Sequence, residues 1–269
     1  MIVFPHCKVN LGLNITEKRS DGYHNLESVF LPVPWTDALE MVRSDKQGLT
    51  FHSSGLLIPG DSSNNLVIKA YNLLAQNYQV PGLAVHLHKV IPMGAGLGGG
   101  SSDGAFALHL INELAGLQLN KSELAAYAVR LGSDCPFFLN REAMMAGGRG
   151  EILEPFPLDL KNWYMLIVMP PVSVGTAEAY SWIKPKPPRV PLRSVLLQDP
   201  AEWKDALVND FEEPVMARYP VIGEMKEQLY RQGAVYASMS GSGAAVFGLF
   251  RNEPDRNRWK DFTSWSGRL

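Results

Sequence analysis

Between Pro92 and Ala105 the chain reads PMGAGLGGGSSDGA, and five of the seven residues from Gly94 to Gly100 are glycine. Glycines that feed a helix start leave backbone N–H groups unpaired, sit at the positive end of the helix dipole and put no Cβ atoms in the way of a close approach. Together these make an anion cradle suited to phosphate; the plain alternative is a flexible hinge. Gly94, Gly96 and Gly99 satisfy GxGxxG, but no ribose-binding acid stands at the end of a clear second parallel strand, so the dinucleotide context is missing. No Lys follows the glycines in the GK[ST] position of a P-loop, and the HRD and DFG of protein kinases are absent.

Two other stretches carry reactive side chains. In KVNLGLNI, residues 8–15, the alternation puts Val9, Leu11, Leu13 and Ile15 on one strand face and Lys8, Asn10, Gly12 and Asn14 on the other, so a cation and an amide project together. Taken locally, Lys8 reads as a surface lysine of a half-buried strand. Asp134 lies inside LGSDCPFF among apolar and aromatic neighbours, where a carboxylate needs a partner or hydrogen bonds to stay ionised. It reads either as a functional acid or as a turn cap.

The elements that must hold these residues are mixed. Strands are expected over 8–15, 26–34, 38–43 and through GLTFHSSG, with SDGYH as a turn. A helix follows from Asn65 to Tyr78, capped by asparagine, and GLAVHLHKVI alternates as a strand. After the glycine run, Ala105, Leu108, Ile111 and Leu114 recur at helical spacing up to Gly116, so Ser101–Asp103 stand where a helix begins; SELAAYAVRLG reads as another helix. WYMLIVMPP is strand-like, KPKPPRVP (184–191) a connector, 221–232 an amphipathic helix stopped by Gly233, and VYASMSGSGAAVFGLF two strands broken at Gly241-Ser242-Gly243. VSVGTAEAYSW reads as a loop, and the tail from Arg251 as polar and uninformative.

A chain of 269 residues with 46% hydrophobic content can bury a full core. A formal net charge of −2 and the lack of a dense Lys/Arg run point away from nucleic acid and membrane surfaces, toward a small-molecule partner. No basic leader and no apolar run of membrane-spanning length are seen, which places the protein in the cytoplasm. Cys7 and Cys135 read as reduced, partly buried residues.

The glycine segment resembles the second motif of the GHMP kinase superfamily, small-molecule ATP-dependent kinases. KVNLGL at 8–13 is similar to that superfamily's first motif and SGSGAAVFG at 240–248 to its third. Within the superfamily, KVNLGL, DGYH at 21–24, GLGGGSSD and GSDCPFF at 132–138 most resemble the members that phosphorylate a hydroxyl of 4-diphosphocytidyl-2-C-methyl-D-erythritol, on the non-mevalonate route to isoprenoids.

The resemblance implies an α+β fold of two domains, an N-terminal ATP-binding half over 1–158 like ribosomal protein S5 domain 2 and a ferredoxin-like C-terminal half over 159–269, with the active site in the cleft between them. It implies ATP and Mg²⁺ as cofactors. It also implies that Asp134 accepts the hydroxyl proton with Lys8 as its cationic partner. ATP would contact Asn65, Leu66, Pro92, Met93, Gly94, Ala95, Gly96, Leu97, Gly98, Gly99, Gly100, Ser101 and Ser102. The cytidine substrate would contact Asn10, Tyr23, His24 and Tyr180, the last chosen by position alone. Read locally, Tyr23 and His24 are exposed aromatics of a hairpin turn, Tyr180 is a packing tyrosine and Asn65 is a helix start. His6-Cys7 departs from the small residues common before the family lysine. Two rivals stay open: a mevalonate or homoserine kinase, and a binding protein that keeps the fold without turnover.

Overall fold

This computed structural model describes every residue from Met1 to Leu269 other than Arg189, with Ser62 described without its side chain. The strands are β1 (Ile2–Val3), β2 (His6–Lys18), β3 (His24–Thr36), β4 (Ala38–Arg43), β5 (Leu49–Gly55), β6 (Leu83–Lys89), β7 (Met144–Gly147), β8 (Ile152–Pro155), β9 (Tyr164–Met169), β10 (Tyr236–Met239), β11 (Val246–Phe250) and β12 (Thr263–Arg268). The helices are α1 (Leu66–Ala75), α2 (Gly99–Ala115), α3 (Lys121–Leu131), α4 (Thr176–Ser181), α5 (Leu192–Leu196), α6 (Glu212–Arg218) and α7 (Pro220–Arg231). The expected mixture of helix and sheet is what the chain adopts.

The chain divides into two compact units, one of residues 1–7, 35–93 and 98–141, the other of residues 8–34, 94–97 and 142–269. The first is built on a sheet of order β1-β4-β6-β5 with α1, α2 and α3. β5 and β6 run parallel because α1 intervenes as a crossover, whereas β4 pairs β6 antiparallel with Leu39 opposite Leu87 and Met41 opposite Val85. Period-two alternation buries Leu83, Val85, Leu87 and Lys89 of β6 and exposes His86 and His88. α1 starts after Asn65, whose Oδ1 accepts the Val67 N–H at 2.9 Å, and packs so closely on α2 that a Cβ on Gly104 would stand 2.8 Å from Leu66 Cβ. α3 opens with a capping box between Asn120 and Glu123.

The second unit contains the sheets β2-β3-β7-β8 and β10-β11-β9-β12. The latter is antiparallel throughout. Its chain order, β9, helices, β10, β11, a 3₁₀ turn at Arg256–Trp259 and β12, is a ferredoxin-like β-α-β-β-α-β path with the second helix shrunk to that turn. β10 and β11 are buried along their whole length. Asn209 Nδ2 donates at 2.8 Å to both Met239 O and Gly241 O, and Glu212 Oε1 accepts the Met239 N–H at 2.8 Å, so the turn after β10 is held from its open side.

Several expectations change. β2 is not half-buried: residues 7–13 are buried on both faces, because its polar face packs against other elements. α2 begins at Gly99, two residues before Ser101, since Gly98 at φ +70 makes the turn into it. α1 ends at Ala75 rather than Tyr78. Residues 176–181, read as loop, form α4. The tail supplies β12, whose Ser/Gly-rich sequence hid a strand that borrows its regularity from β9. The connector 184–191 includes Arg189, outside the described residues; its neighbours form no regular element.

Candidate active site

The glycine run is shaped by alternation of two kinds of residue. Gly94, Gly96 and Gly98 have φ of +65°, +75° and +70°, a region open to glycine, whereas Ala95 and Leu97 between them are buried and anchor the loop. A Cβ on Gly96 would collide with the backbone oxygen of Ser240. Left-handed glycines alternating with other residues are a backbone pattern in which anion-binding concavities form.

The loop carbonyls are engaged inside the second unit. Leu97 O accepts the Lys8 N–H at 2.9 Å, Ala95 O accepts the Ala245 N–H at 3.1 Å, and Gly96 O accepts the Ser240 hydroxyl at 2.8 Å. That hydroxyl in turn accepts the Asn10 N–H at 3.3 Å. Direct hydrogen bonds therefore join KVNLGL, the glycine run and SGSGAAVFG, three stretches far apart in sequence.

Lys8 is not a surface lysine. It is 4% exposed, donates to Asn10 Oδ1 at 2.6 Å and lies 4.7 Å from the centre of the Phe30 ring. Asn10 Nδ2 donates to Ser28 Oγ at 2.9 Å, and Ser28 Oγ donates to Gly12 O at 2.6 Å. This polar chain fixes the amide of Asn10 so that its oxygen faces the ammonium group.

In the first unit, the Ser102 N–H makes the opening bond of α2, to Gly98 O at 2.9 Å. The N–H groups ahead of it, from Gly98 to Ser101, have no acceptor within the helix. Ser102 Oγ is buried without a hydrogen-bond partner, the kind of orphaned group that a ligand completes. Pro92 is half-buried and Met93 exposed, with Met93 against the face of Gly100. Asn65 and Leu66 open α1, both half-buried. The open amides, the absence of Cβ atoms and the orphaned hydroxyl fit a polyphosphate.

Asp134 precedes the 3₁₀ turn Cys135–Leu139 and is half-buried rather than buried; it makes no side-chain cap bond there, although its carbonyl accepts the Phe137 N–H. Its neighbour Cys135 is fully buried and hydrogen-bonds Ser101, and burial pushes the thiol up to about 12, so it is inert at neutral pH.

Tyr23, His24 and Tyr180 lie in the second unit. His24 and Tyr180 stack with centroids 5.0 Å apart and planes 25° from parallel, and Phe211 meets Tyr180 edge-on at 4.9 Å. Tyr23 is 55% exposed, with the Arg149 guanidinium 4.7 Å from its ring centre. Burial, with Lys18 adding to it, lowers the His24 pKa, so the imidazole is neutral at pH 7. Arg149 and Phe211 were not singled out from sequence, and no local pattern marks them.

Sequence reading also passed over a buried ionic cluster, Asp37, Lys89 and Asp103. Its signal was present: Lys89 shares the strand parity of Leu83, Val85 and Leu87, which assigns it to the inner face. Burial, with the charge of Asp37 adding to it and Lys89 opposing, raises the Asp103 carboxyl to about 7. No helix among the described residues is long and apolar enough to cross a membrane.

Comparison with known proteins places these features. Residues 65–141 match the model of the GHMP kinases N terminal domain, and residues 192–262 that of the GHMP kinases C terminal domain. The chain is 47% identical to the 4-diphosphocytidyl-2-C-methyl-D-erythritol kinase of Parabacteroides distasonis, covering 100% of both chains. It superposes on a crystal structure of 4-(cytidine 5'-diphospho)-2C-methyl-D-erythritol kinase with a TM-score of 0.84 at 32% identity, over 99% of this chain and 98% of that one. The mevalonate kinase of Methanococcus jannaschii is similar in fold alone, with a TM-score of 0.75 at 15% identity over 100% of this chain and 98% of that one.

Proposed function

The chain belongs to the GHMP kinase family and is an ATP-dependent small-molecule kinase; from that premise we propose that it phosphorylates a hydroxyl of 4-diphosphocytidyl-2-C-methyl-D-erythritol, with Asp134 as base and Lys8 as its cationic partner. The observation that carries the reading is the hydrogen-bond set joining Lys8, Asn10, Ala95–Leu97, Ser240 and Ala245. It assembles the three motifs of the resemblance into one structure.

Phosphoryl transfer asks a protein mainly for positioning and for charge complementarity. Asp134 would orient the acceptor hydroxyl and take its proton as the new P–O bond forms, while ADP departs with the cleaved bond's electrons. Lys8, buried and oriented by Asn10, would keep that carboxylate ionised and favour charge developing on the transferring oxygens. The N–H groups of the glycine run would hold the triphosphate, the Ser102 hydroxyl would complete its bonds there, and Asn65 and Leu66 would meet the nucleoside end. Mg²⁺, when bound to the triphosphate, neutralises its charge. This cation keeps several waters and takes few protein ligands, so most of its contacts would come from phosphate and water. For the acceptor, the stacked pair His24–Tyr180, with Tyr23 and Asn10, offers an aromatic surface and polar edges suited to cytosine.

The test is ADP release from ATP and Mg²⁺ with diphosphocytidyl-methylerythritol, mevalonate or homoserine as acceptor, for wild type and Asp134→Ala. Release with the cytidine substrate alone, lost in the variant, is expected. Release with another acceptor would overturn the substrate, and tight ATP binding without turnover on any acceptor would overturn the enzyme reading. Full activity in Asp134→Ala would overturn the base.

A further inference from the structure

Beside the start of α2 lies a buried ionic cluster that the chemistry above does not use. Lys89, the last residue of β6, donates to Asp37 Oδ2 and, at 2.9 Å, to Asp103 Oδ2. All three side chains are shut off from solvent. Asp37 Oδ1 accepts the N–H groups of Val90 at 2.5 Å and Ile91 at 2.8 Å, the residues that lead into the glycine run. Asp103 belongs to α2, which leads out of it. A Cβ on Gly99 would stand 3.0 Å from Lys89 Nζ, so the run passes directly over the ammonium group.

Such a cluster is a poor source of stability, because apolar side chains of similar volume often replace buried ion pairs without loss. Two carboxylates against one ammonium also leave an excess negative charge, and Asp103 Oδ1 has no hydrogen-bond partner. What the arrangement supplies is direction: it fixes the backbone on both sides of the loop to one point. We propose that Lys89, gripped by Asp37 and Asp103, is a positioning residue for the ATP loop, aligning the strand end that enters it with the helix that leaves it. This rests on the reading of the glycine run as the triphosphate site.

The excess charge has a consequence for binding. Lys89 from the end of β6 and Asp37 from the segment ahead of β4 are the charged groups that act on Asp103 among the described residues. A polyanion bound close by favours the protonated form of Asp103, so nucleotide affinity falls as that proton is lost with rising pH.

The experiment is binding of a fluorescent ADP with Mg²⁺ to the full chain at about pH 6 and about pH 8.5, on either side of that titration. Wild type is expected to bind more weakly at the higher pH and Asp103→Asn to lose that difference; the nucleotide's own titration is common to both. Lys89→Met, if folded by circular dichroism, is expected to bind about tenfold more weakly or worse, with KM for ATP rising more than kcat falls. An Asp103→Asn variant that keeps the wild-type pH dependence, or a folded Lys89→Met that binds within about twofold of wild type, overturns the positioning role. Should Lys89→Met fail to fold, Lys89→Gln, which keeps a donor without the charge, is read by the same twofold limit. A wild type that binds no ADP at either pH overturns the loop assignment and this proposal with it.

Discussion

Replacing Asp103 by Asn changes one buried atom type and should make the protein more stable above neutral pH. The carboxyl is raised to about 7 in the folded chain by burial first, then by the charge of Asp37, with Lys89 opposing. In the unfolded chain an aspartate titrates near about 3.9. Between these values the folded state holds a proton that the unfolded state has released, so stability falls as pH rises from about 4 to about 7 and stays low above that. Three units correspond to a span on the order of 4 kcal/mol. Asn stands in for the protonated acid: its oxygen still accepts from Lys89, and Lys89 is left matched one to one with Asp37. Urea unfolding followed by tryptophan fluorescence at about pH 5 and about pH 8 should then show the variant gaining on wild type by about 2 to 3 kcal/mol between the two conditions. Groups titrating elsewhere cancel in that difference. A variant that is destabilised equally at both pH values would refute the account, because it would mean that Asp103 is ionised throughout and matters only as a partner of Lys89.

Three further outcomes follow from geometry already described. Gly96→Ala should lower the melting temperature far more than Gly94→Ala. Both positions have positive φ, costing about 1 to 2 kcal/mol for a side chain, but only at Gly96 does the added carbon strike backbone, the Ser240 oxygen, whereas at Gly94 it would lie 3.8 Å from Ser173 Oγ. Tyr180→Leu keeps bulk but removes the ring stacked on His24, so KM for the cytidine substrate should rise about three- to tenfold with KM for ATP unmoved; an equal rise in both would place Tyr180 in packing alone. Cys135→Ser should leave activity unaffected by thiol reagents, and wild type should be equally indifferent, since the buried thiol is pushed up to about 12; labelling of native Cys135 in an intact-mass spectrum would contradict this.

The parts of the fold that were legible in sequence are those where one local rule decides. Asn65 caps α1 because its side chain is followed by a helical apolar pattern, and Gly116 and Gly233 end helices because they take positive φ cheaply. The strands around Gly241–Gly243 were legible for the same reason. What failed were inferences about what lies opposite a residue. The face of β2 that carries Lys8 and Asn10 looks solvent-exposed by alternation, yet it is buried by Ser28 and Ser240, which no pattern within residues 8–15 announces. β12 reads as a polar tail because an edge strand takes its order from its partner. Tyr180 and His24 meet only through the path of the chain. The position of Lys89 could have been read, since strand parity assigns it inward; a lysine there contradicts ordinary burial and marks a partner to be found.

The bonds that tie down the glycine run have a bearing on what it discriminates against. Its carbonyls at Ala95, Gly96 and Leu97 are taken by Ala245, Ser240 and Lys8, and that at Gly98 by the first turn of α2. Three of these four donors, on Lys8, Ala245 and Ser102, are main-chain groups that no side-chain replacement removes. A visitor to the loop therefore meets donors and finds little to accept its own. Ammonium and guanidinium groups, which only donate, gain nothing there, while a group made wholly of acceptors does, so the loop is selective by the sign of its hydrogen bonding before shape has any say.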